Sequence, residues 1–439
     1  MPEKPVGSDE IQATVEAVWR MEAARIMAGL TRLTGDVGLA EDFAQDALVA
    51  ALDRWPESGV PDNPGAWLTT TAKRRAMDHL RKGKRRAAKE PEVTHEIGAR
   101  REANRPDPDG ALDDPVGDDV LRLIFLCCHP ILSAEARVAL TLRLVGGLTT
   151  DEIARAFLVP RATLAQRIVR ARRTLRESQV PFETPHGPAL MERMSSVLEV
   201  LYLIFNEGYS ATAGEDWMRP ELCRDALRLG RVLAGLTPEE PEVHGLVALM
   251  EIQTSRLGAR TGPDGRSVLL MDQDRSRWDP LHIRRGLAAL ERAQSLGGGF
   301  GVYSLQAAIA ACHARARAPG DTNWTRIVAL YDALAQVAPS PVVELNRAVA
   351  VGMAYGPRSG LELVDALVDE GTLNNYHLLP AVRGDLLARA GRLDEARTQF
   401  EEAASLTQNE RERDLLLRRA AECQEGERKG APPGTAEHP

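Results

Sequence analysis

The stretch from Leu148 to Arg176, LTTDEIARAFLVPRATLAQRIVRARRTLR, constrains this chain more than any other. Thr149 is placed to accept from the amide three residues on and Glu152 to reach back, a capping box that predicts a helix to about Phe157. Gly146 and Gly147 stand just before it and close the preceding helix. Leu148, Ile153, Ala154, Leu158 and Val159 supply an apolar face. Pro160 breaks the chain, and a second helix then carries Leu164, Ile168, Ala171 and Leu175 at helical spacing. Two short helices around a tight turn make a helix-turn-helix. From Arg161 to Arg176 stand six arginines and no acidic residue, in a chain of net charge -8. Arg161, Thr163, Gln166, Arg167 and Arg170 fall on the outer face, residue types suited to base edges and phosphates. Pattern and charge together predict a DNA-binding module.

The rest of the chain is read around that module. Its 439 residues exceed one core and predict two to four domains. With 44% hydrophobic but only 4% aromatic residues, the composition is that of a Leu/Ala-rich all-α protein. Apolar runs stop short of about 18 residues and no basic segment precedes a signal-like stretch, so a cytoplasmic chain with no membrane contact is expected. Five cysteines without paired spacing predict reduced thiols. Cys127-Cys128-His129 would sit on an apolar helix where successive side chains diverge, so they are read as core, and neither a metal nor a cofactor is expected.

Residues 11–86 read as three or four helices. Ala40 to Trp55 places Phe43, Ala47, Leu48, Ala51 and Leu52 on one side and Glu41, Asp42, Gln45, Asp46 and Asp53 towards the other. Pro61 to Pro64 imposes a loop around Asn63, and Trp67 opens a helix whose basic run is Lys73, Arg74, Arg75, Arg81, Lys82, Lys84, Arg85 and Arg86. Residues 87–117, with EPEVTHE, RPDPDG and DDPVGDD, lack apolar periodicity and read as a flexible linker. In the domain at 118–180, helices over Asp118 to Pro130 and Ser133 to Val145 precede the helix-turn-helix, with Ser133 as N-cap. Leu123 to Cys128 makes the first of these apolar nearly all round, so it needs cover on more than one side.

The C-terminal half, 186–426, is helical with a repeat signal, and 427–439 is expected to be a disordered tail. Gly384, Leu387, Gly391, Ala396, Phe400 and Ala403 stand at tetratricopeptide-like offsets, and Leu345 to Leu367 reads as a degenerate earlier copy. Stacked hairpins present a groove suited to a protein or ligand. Glu207, Asp272, Asp274 and Arg275 could be an acid/base or ligand cluster, but no nucleophile, metal spacing or phosphate loop accompanies them. They are read as ion pairs and caps, with no catalytic residue.

The residues from Leu148 to Leu175 resemble the -35-reading region of extracytoplasmic-function sigma factors, whose common form is L-S-x-x-E-I-A, a V-S or V-P turn, then G-T-V-K-S-R-L-x-R-A-R. Leu148, Glu152, Ile153, Ala154, Thr163, Arg167, Arg170, Ala171 and Arg172 match. Ala162, Leu164, Ala165 and Gln166 depart from it, which bears on the sequence read and not on the module. AEDFAQDALVAALDRW and PGAWLTTTAKRRAMDHLRK are similar to the σ2 motifs of the same family. The resemblance implies that Asp42, Gln45 and Asp46 contact core RNA polymerase. It implies that Asn63 and Trp67, with Lys73, Arg74, Arg75, Arg81 and Lys82, hold melted -10 promoter DNA. The linker would thread towards the RNA exit path. The long extension resembles that of a subgroup in which it takes over control from a separate anti-sigma protein. The function implied is promoter recognition and transcription initiation, without enzymatic activity. The alternative is a DNA-binding regulator with a repeat-built sensor, acting without the polymerase. A third reading, an enzyme fused to a DNA-binding module, rests on the Asp272 to Asp279 cluster alone.

Overall fold

The computed structural model describes residues 8–87, 116–157, 159–210, 218–263 and 266–430. Among them are eighteen α-helices and no strand, with an isolated antiparallel bridge between Thr261 and Ser267. The all-α class expected from composition is therefore the one observed. Contacts divide the chain into two compact units, one ending at Leu203 and one beginning at Ile204.

The first unit begins with α1 (Ser8–Thr34), α2 (Val37–Ser58) and α3 (Pro64–Ala87). The chain turns between α1 and α2 at Gly35, whose φ of 65° suits a residue without Cβ. Asp36 then caps α2, its carboxylate accepting from the amides of Gly38 at 2.7 Å and Leu39 at 3.1 Å. Asn63 caps α3 in the same way, its Oδ1 accepting from Ala66 N at 3.0 Å, with Pro64 preset for the first turn.

Four further helices carry the arginine-rich module: α4 (Val116–Cys127), α5 (Ala134–Leu140, continued by a π turn over Thr141–Val145), α6 (Thr150–Ala156) and α7 (Arg161–Glu177). Ser133 caps α5, as its position predicted. The capping box of α6 is present in full: Thr149 N donates to Glu152 Oε2 at 2.7 Å and Glu152 N donates to Thr149 Oγ1 at 3.1 Å. Leu164, Ile168, Ala171 and Leu175 are all buried, the stripe read from spacing. Leu158, assigned to the buried face of α6, lies outside the described residues.

Every residue from Leu123 to Cys128 on α4 is buried, and α1 supplies much of the cover. The start of α8 (Pro188–Tyr209) supplies more. Arg193 donates to the carbonyl of Phe125 at 2.6 Å and Ser196 to that of Cys128 at 2.6 Å, closing carbonyls at the C-terminal end of α4 that the helix itself leaves open. Arg137 of α5 bonds Ser196 and pairs with Glu199 at 3.0 Å. Burial pushes the Cys128 thiol up to about 11, which suits an unreactive core thiol.

The second unit continues with α9 (Pro220–Leu236), α10 (Pro241–Thr254), α11 (Pro280–Ser295), α12 (Val302–Arg315), α13 (Trp324–Val337), α14 (Pro341–Tyr355), α15 (Pro357–Glu370), α16 (Leu378–Arg389), α17 (Leu393–Leu406) and α18 (Glu410–Gly430). Each packs on its chain neighbour, the pattern of stacked helical hairpins. The repeat residues meet as their offsets suggested. A Cβ on Gly384 would lie 2.9 Å from the Phe400 ring, and Leu387, Ala396, Phe400 and Ala403 share one apolar cluster. Gly391, at φ 79°, makes the turn between α16 and α17. Helix α18 reaches Gly430, into the stretch expected to be a tail, while 431–439 and most of the linker, 88–115, lie outside the described residues.

Candidate nucleic-acid interface

The face of α7 opposite its buried stripe is largely open to solvent. Arg161, Thr163, Gln166 and Arg170 are exposed on α7, and Arg167 is half-buried. Arg161 pairs with Asp151 of α6 at 3.0 Å, an exposed contact that costs little to exchange for a phosphate. Arg173, one turn further on, pairs with Glu177 at 2.6 Å.

The second cationic surface lies on α3. Asn63, Arg74, Arg81 and Lys82 are exposed, while Lys73 and Arg75 are half-buried. Asn63 is committed to capping α3, so its side chain orders the loop that leads into the helix. Trp67 is half-buried with its ring edge-on to Trp55, centroids 5.5 Å apart at 68°. The contact fixes the orientation of the Trp67 ring. The side chains of Lys84, Arg85 and Arg86 lie outside the described residues.

On α2, Asp42, Gln45 and Asp46 are exposed together. Burial and the neighbouring Asp46 and Asp36 carboxylates raise the pKa of Asp42, the electrostatic mark of a concentrated acidic patch. Asp46 also pairs with Arg75 at 3.3 Å, joining the acidic patch to the basic helix.

Two expectations on α2 fail. Leu52, assigned to the buried side, is exposed, and Ala40 and Ala44 are buried in its stead. Glu41, assigned to the polar side, is only 6% exposed. Its carboxylate accepts from Arg143 Nε at 2.8 Å, binds Arg172 of α7, and accepts from Gln45 at 3.2 Å. Around it Arg20 pairs with Glu152, Arg32 with Asp119 at 3.0 Å and Arg176 with Asp36 at 3.7 Å. Sequence reasoning missed all of these. Glu41 and Arg172 are 131 positions apart, and no local period marks a contact between separate modules. Burial lowers the pKa of Arg172, as expected for a guanidinium withdrawn from water.

The cluster in the second unit is tied into caps and backbone contacts. Arg275 donates to the carbonyls of His313 at 2.8 Å and Ala316 at 2.7 Å, Asp274 accepts from Ser276 N at 2.9 Å, and Asp279 caps α11. Glu207 pairs with Arg219. These are caps and ion pairs that fix loops. No group of three or more His, Cys, Asp or Glu suited to a metal occurs among the described residues.

Comparison with known proteins matches this geometry. Residues 18–86 match the family described as Sigma-70 region 2, and residues 122–175 match Sigma-70, region 4. Residues 193–294 match a family of unknown function, DUF6596. An uncharacterized protein of Rhizobium meliloti is 43% identical over 384 residues, 87% of this chain and 89% of that protein. The probable ECF RNA polymerase sigma factor SigI of Mycobacterium tuberculosis is 30% identical over 166 residues, 38% of this chain and 56% of that protein. The ECF RNA polymerase sigma factor SigL of the same organism is 29% identical over 165 residues, 37% of this chain and 88% of that protein.

The three-helix module and the helix-turn-helix module coincide with the two Sigma-70 regions, so the chain is a sigma-70-type transcription factor. Within that class the chain belongs to the extracytoplasmic-function sigma factors and carries a C-terminal extension. No helix among the described residues is long and apolar enough to cross a membrane.

Proposed function

We propose that this sigma factor binds core RNA polymerase through the acidic face of α2, reads the -35 element with α7, and holds melted -10 DNA at the start of α3. Arg161, Thr163, Gln166, Arg167 and Arg170 make the -35 contacts. Asn63 and Trp67 border the extruded base, with Lys73, Arg74, Arg75, Arg81 and Lys82 tracking the backbone. Asp42, Gln45 and Asp46 meet the polymerase. The observation that supports this reading most is the coexistence in one compact unit of two separate cationic surfaces, α7 and α3, beside an exposed acidic patch. A free-standing repressor has use for the first of these and none for the others.

The second unit acts as the regulatory element, its hairpin stack offering a surface for a protein or ligand. The protein works in the cytoplasm and catalyses no reaction of its own. In vitro transcription with purified core polymerase and genomic fragments, with start sites mapped, tests the assignment. Initiation at defined start sites with no other factor is expected. Tight DNA binding that never supports initiation would hand the case to the repressor reading.

A further inference from the structure

We infer that the second unit carries an oxyanion-binding site around Arg256, Arg275, Trp278 and His313, suited to free phosphate or to the phosphate group of a small metabolite. The inference does not depend on the promoter reading above.

Five side chains from three segments alternate cation and ring. Arg260, after α10, lies over the Tyr209 ring at the end of α8, 3.7 Å from its centroid, and also bonds the Tyr209 carbonyl. Arg256 stands 5.9 Å from the same ring and 5.6 Å from that of Trp278, and Arg275 stands 5.1 Å from Trp278. Arg256 is only 5% exposed and Trp278 only 4%. All five fall within residues 193–294, the stretch matched to the family of unknown function.

The stack draws three guanidinium charges together and away from water. Ring faces attract a cation but do not satisfy the N–H donors in its plane, and a buried charge without a partner is among the least tolerated features of a protein interior. Neither Arg256 nor Arg275 has a carboxylate within salt-bridge reach among the described residues. Asp321, which acts on Arg275 at longer range, is exposed and accepts from Ala318 N. Arg275 commits its Nη groups to the carbonyls of His313 and Ala316 and to Thr322 Oγ1.

Donors are what remains. Arg256 Nε, Arg275 Nε and Trp278 Nε1 are buried without a hydrogen-bond partner among the described residues, and none of the three can accept. His313 is 6% exposed, and its Nδ1 is likewise unmatched. Burial first, then the Arg256 and Arg275 charges, push the His313 pKa down to about 4, so the ring is neutral near pH 7 and one tautomer donates from Nδ1. Buried donors that lack acceptors, in a positive field, are the surroundings an oxyanion completes. The same field repels a metal cation.

Access runs along the loop that carries Arg275. Leu270–Asp272 and Arg275–Arg277 are single 3-10 turns, with Asp272, Asp274, Ser276 and Arg277 exposed and Arg275 half-buried. Single turns have no helical ladder to break, so the loop can shift to admit an ion beside Trp278.

The test follows melting and binding heat of the full chain as inorganic phosphate and ribose 5-phosphate are titrated separately, with chloride at matched ionic strength as the reference. A saturable rise in Tm of about 3 to 6 °C at ten times Kd is expected. Arg256→Met, which removes the charge and keeps an unbranched side chain, should abolish it. Phosphate also meets the DNA-facing arginines, so only the response lost in this variant belongs to the site. Trp278→Phe, which keeps a ring and removes one donor, should weaken binding about tenfold, so the outcome does not hang on the folding of one variant. A response to phosphate itself assigns the free ion, and a tighter response to ribose 5-phosphate assigns the phosphate group of a metabolite. No saturable response to either, one that chloride equals, or one that both variants retain overturns the inference.

Discussion

The junction between the first three helices and the helix-turn-helix module, and the hairpin stack of the second unit, are both helix-on-helix contacts, built from opposite materials. At the junction Glu41 is shared by Arg143 and Arg172, ringed by three further ion pairs. In the stack, Gly384 faces the Phe400 ring and Gly360 faces Gly352, whose Cα would lie 3.0 Å from an added Cβ. Close packing of this kind admits one geometry and resists loss of any methylene. Charge contacts define a geometry yet stand near balance against water.

The largest expected effect concerns the start of α8. A chain ending after Phe182 lacks Arg193 and Ser196, which cap the carbonyls of Phe125 and Cys128. Its helix-turn-helix module should lose its fold and, with it, nearly all promoter-specific initiation. A soluble, monomeric chain of residues 1–182 as active as the whole protein in the transcription assay would point to an inhibitory extension.

Phe400→Ala should destabilise the second unit by about 3 to 5 kcal/mol in urea unfolding, the usual cost of emptying a buried aromatic site. A loss below about 1 kcal/mol would show that the glycine–phenylalanine fit does not hold the stack. At the junction, Glu41→Ala should cost about 1 to 3 kcal/mol, because it strands partly buried guanidinium groups. The isosteric Glu41→Gln should cost less, and equal losses from both would mean that volume, not charge, governs this joint.

On DNA the two cationic surfaces should behave differently. Arg167→Ala is expected to change which -35 sequences are used, at about 1 to 3 kcal/mol if the contact is bidentate to a base. Lys82→Ala, the smallest effect, should weaken all promoters alike and flatten the salt dependence by about one unit of slope. Equal, sequence-blind losses would reduce Arg167 to a phosphate contact.

Local chemistry determined most of what was legible beforehand. The Thr149–Glu152 capping box, the Pro160 break, the stripe Leu164, Ile168, Ala171 and Leu175, and the Gly384–Phe400 offsets act within a few turns of helix. Their consequences were readable from spacing because a helix fixes its neighbours at three and four residues. The exposed face of α7 followed from the buried one. Asp274 and Asp279 resolved into caps for the same reason, since turns are also local.

What tertiary structure alone decided is the partner of each face. Glu41 reads as one more acid on a polar side until Arg143 and Arg172 arrive from 102 and 131 positions away. The all-round apolarity of α4 announced that cover was needed on more than one side; that α1 and the start of α8 give it was decided in three dimensions. Hydrophobic burial is non-directional and a carboxylate accepts any donor, so sequence specifies that such surfaces must be met. Which segment meets them depends on the three-dimensional path of the whole chain.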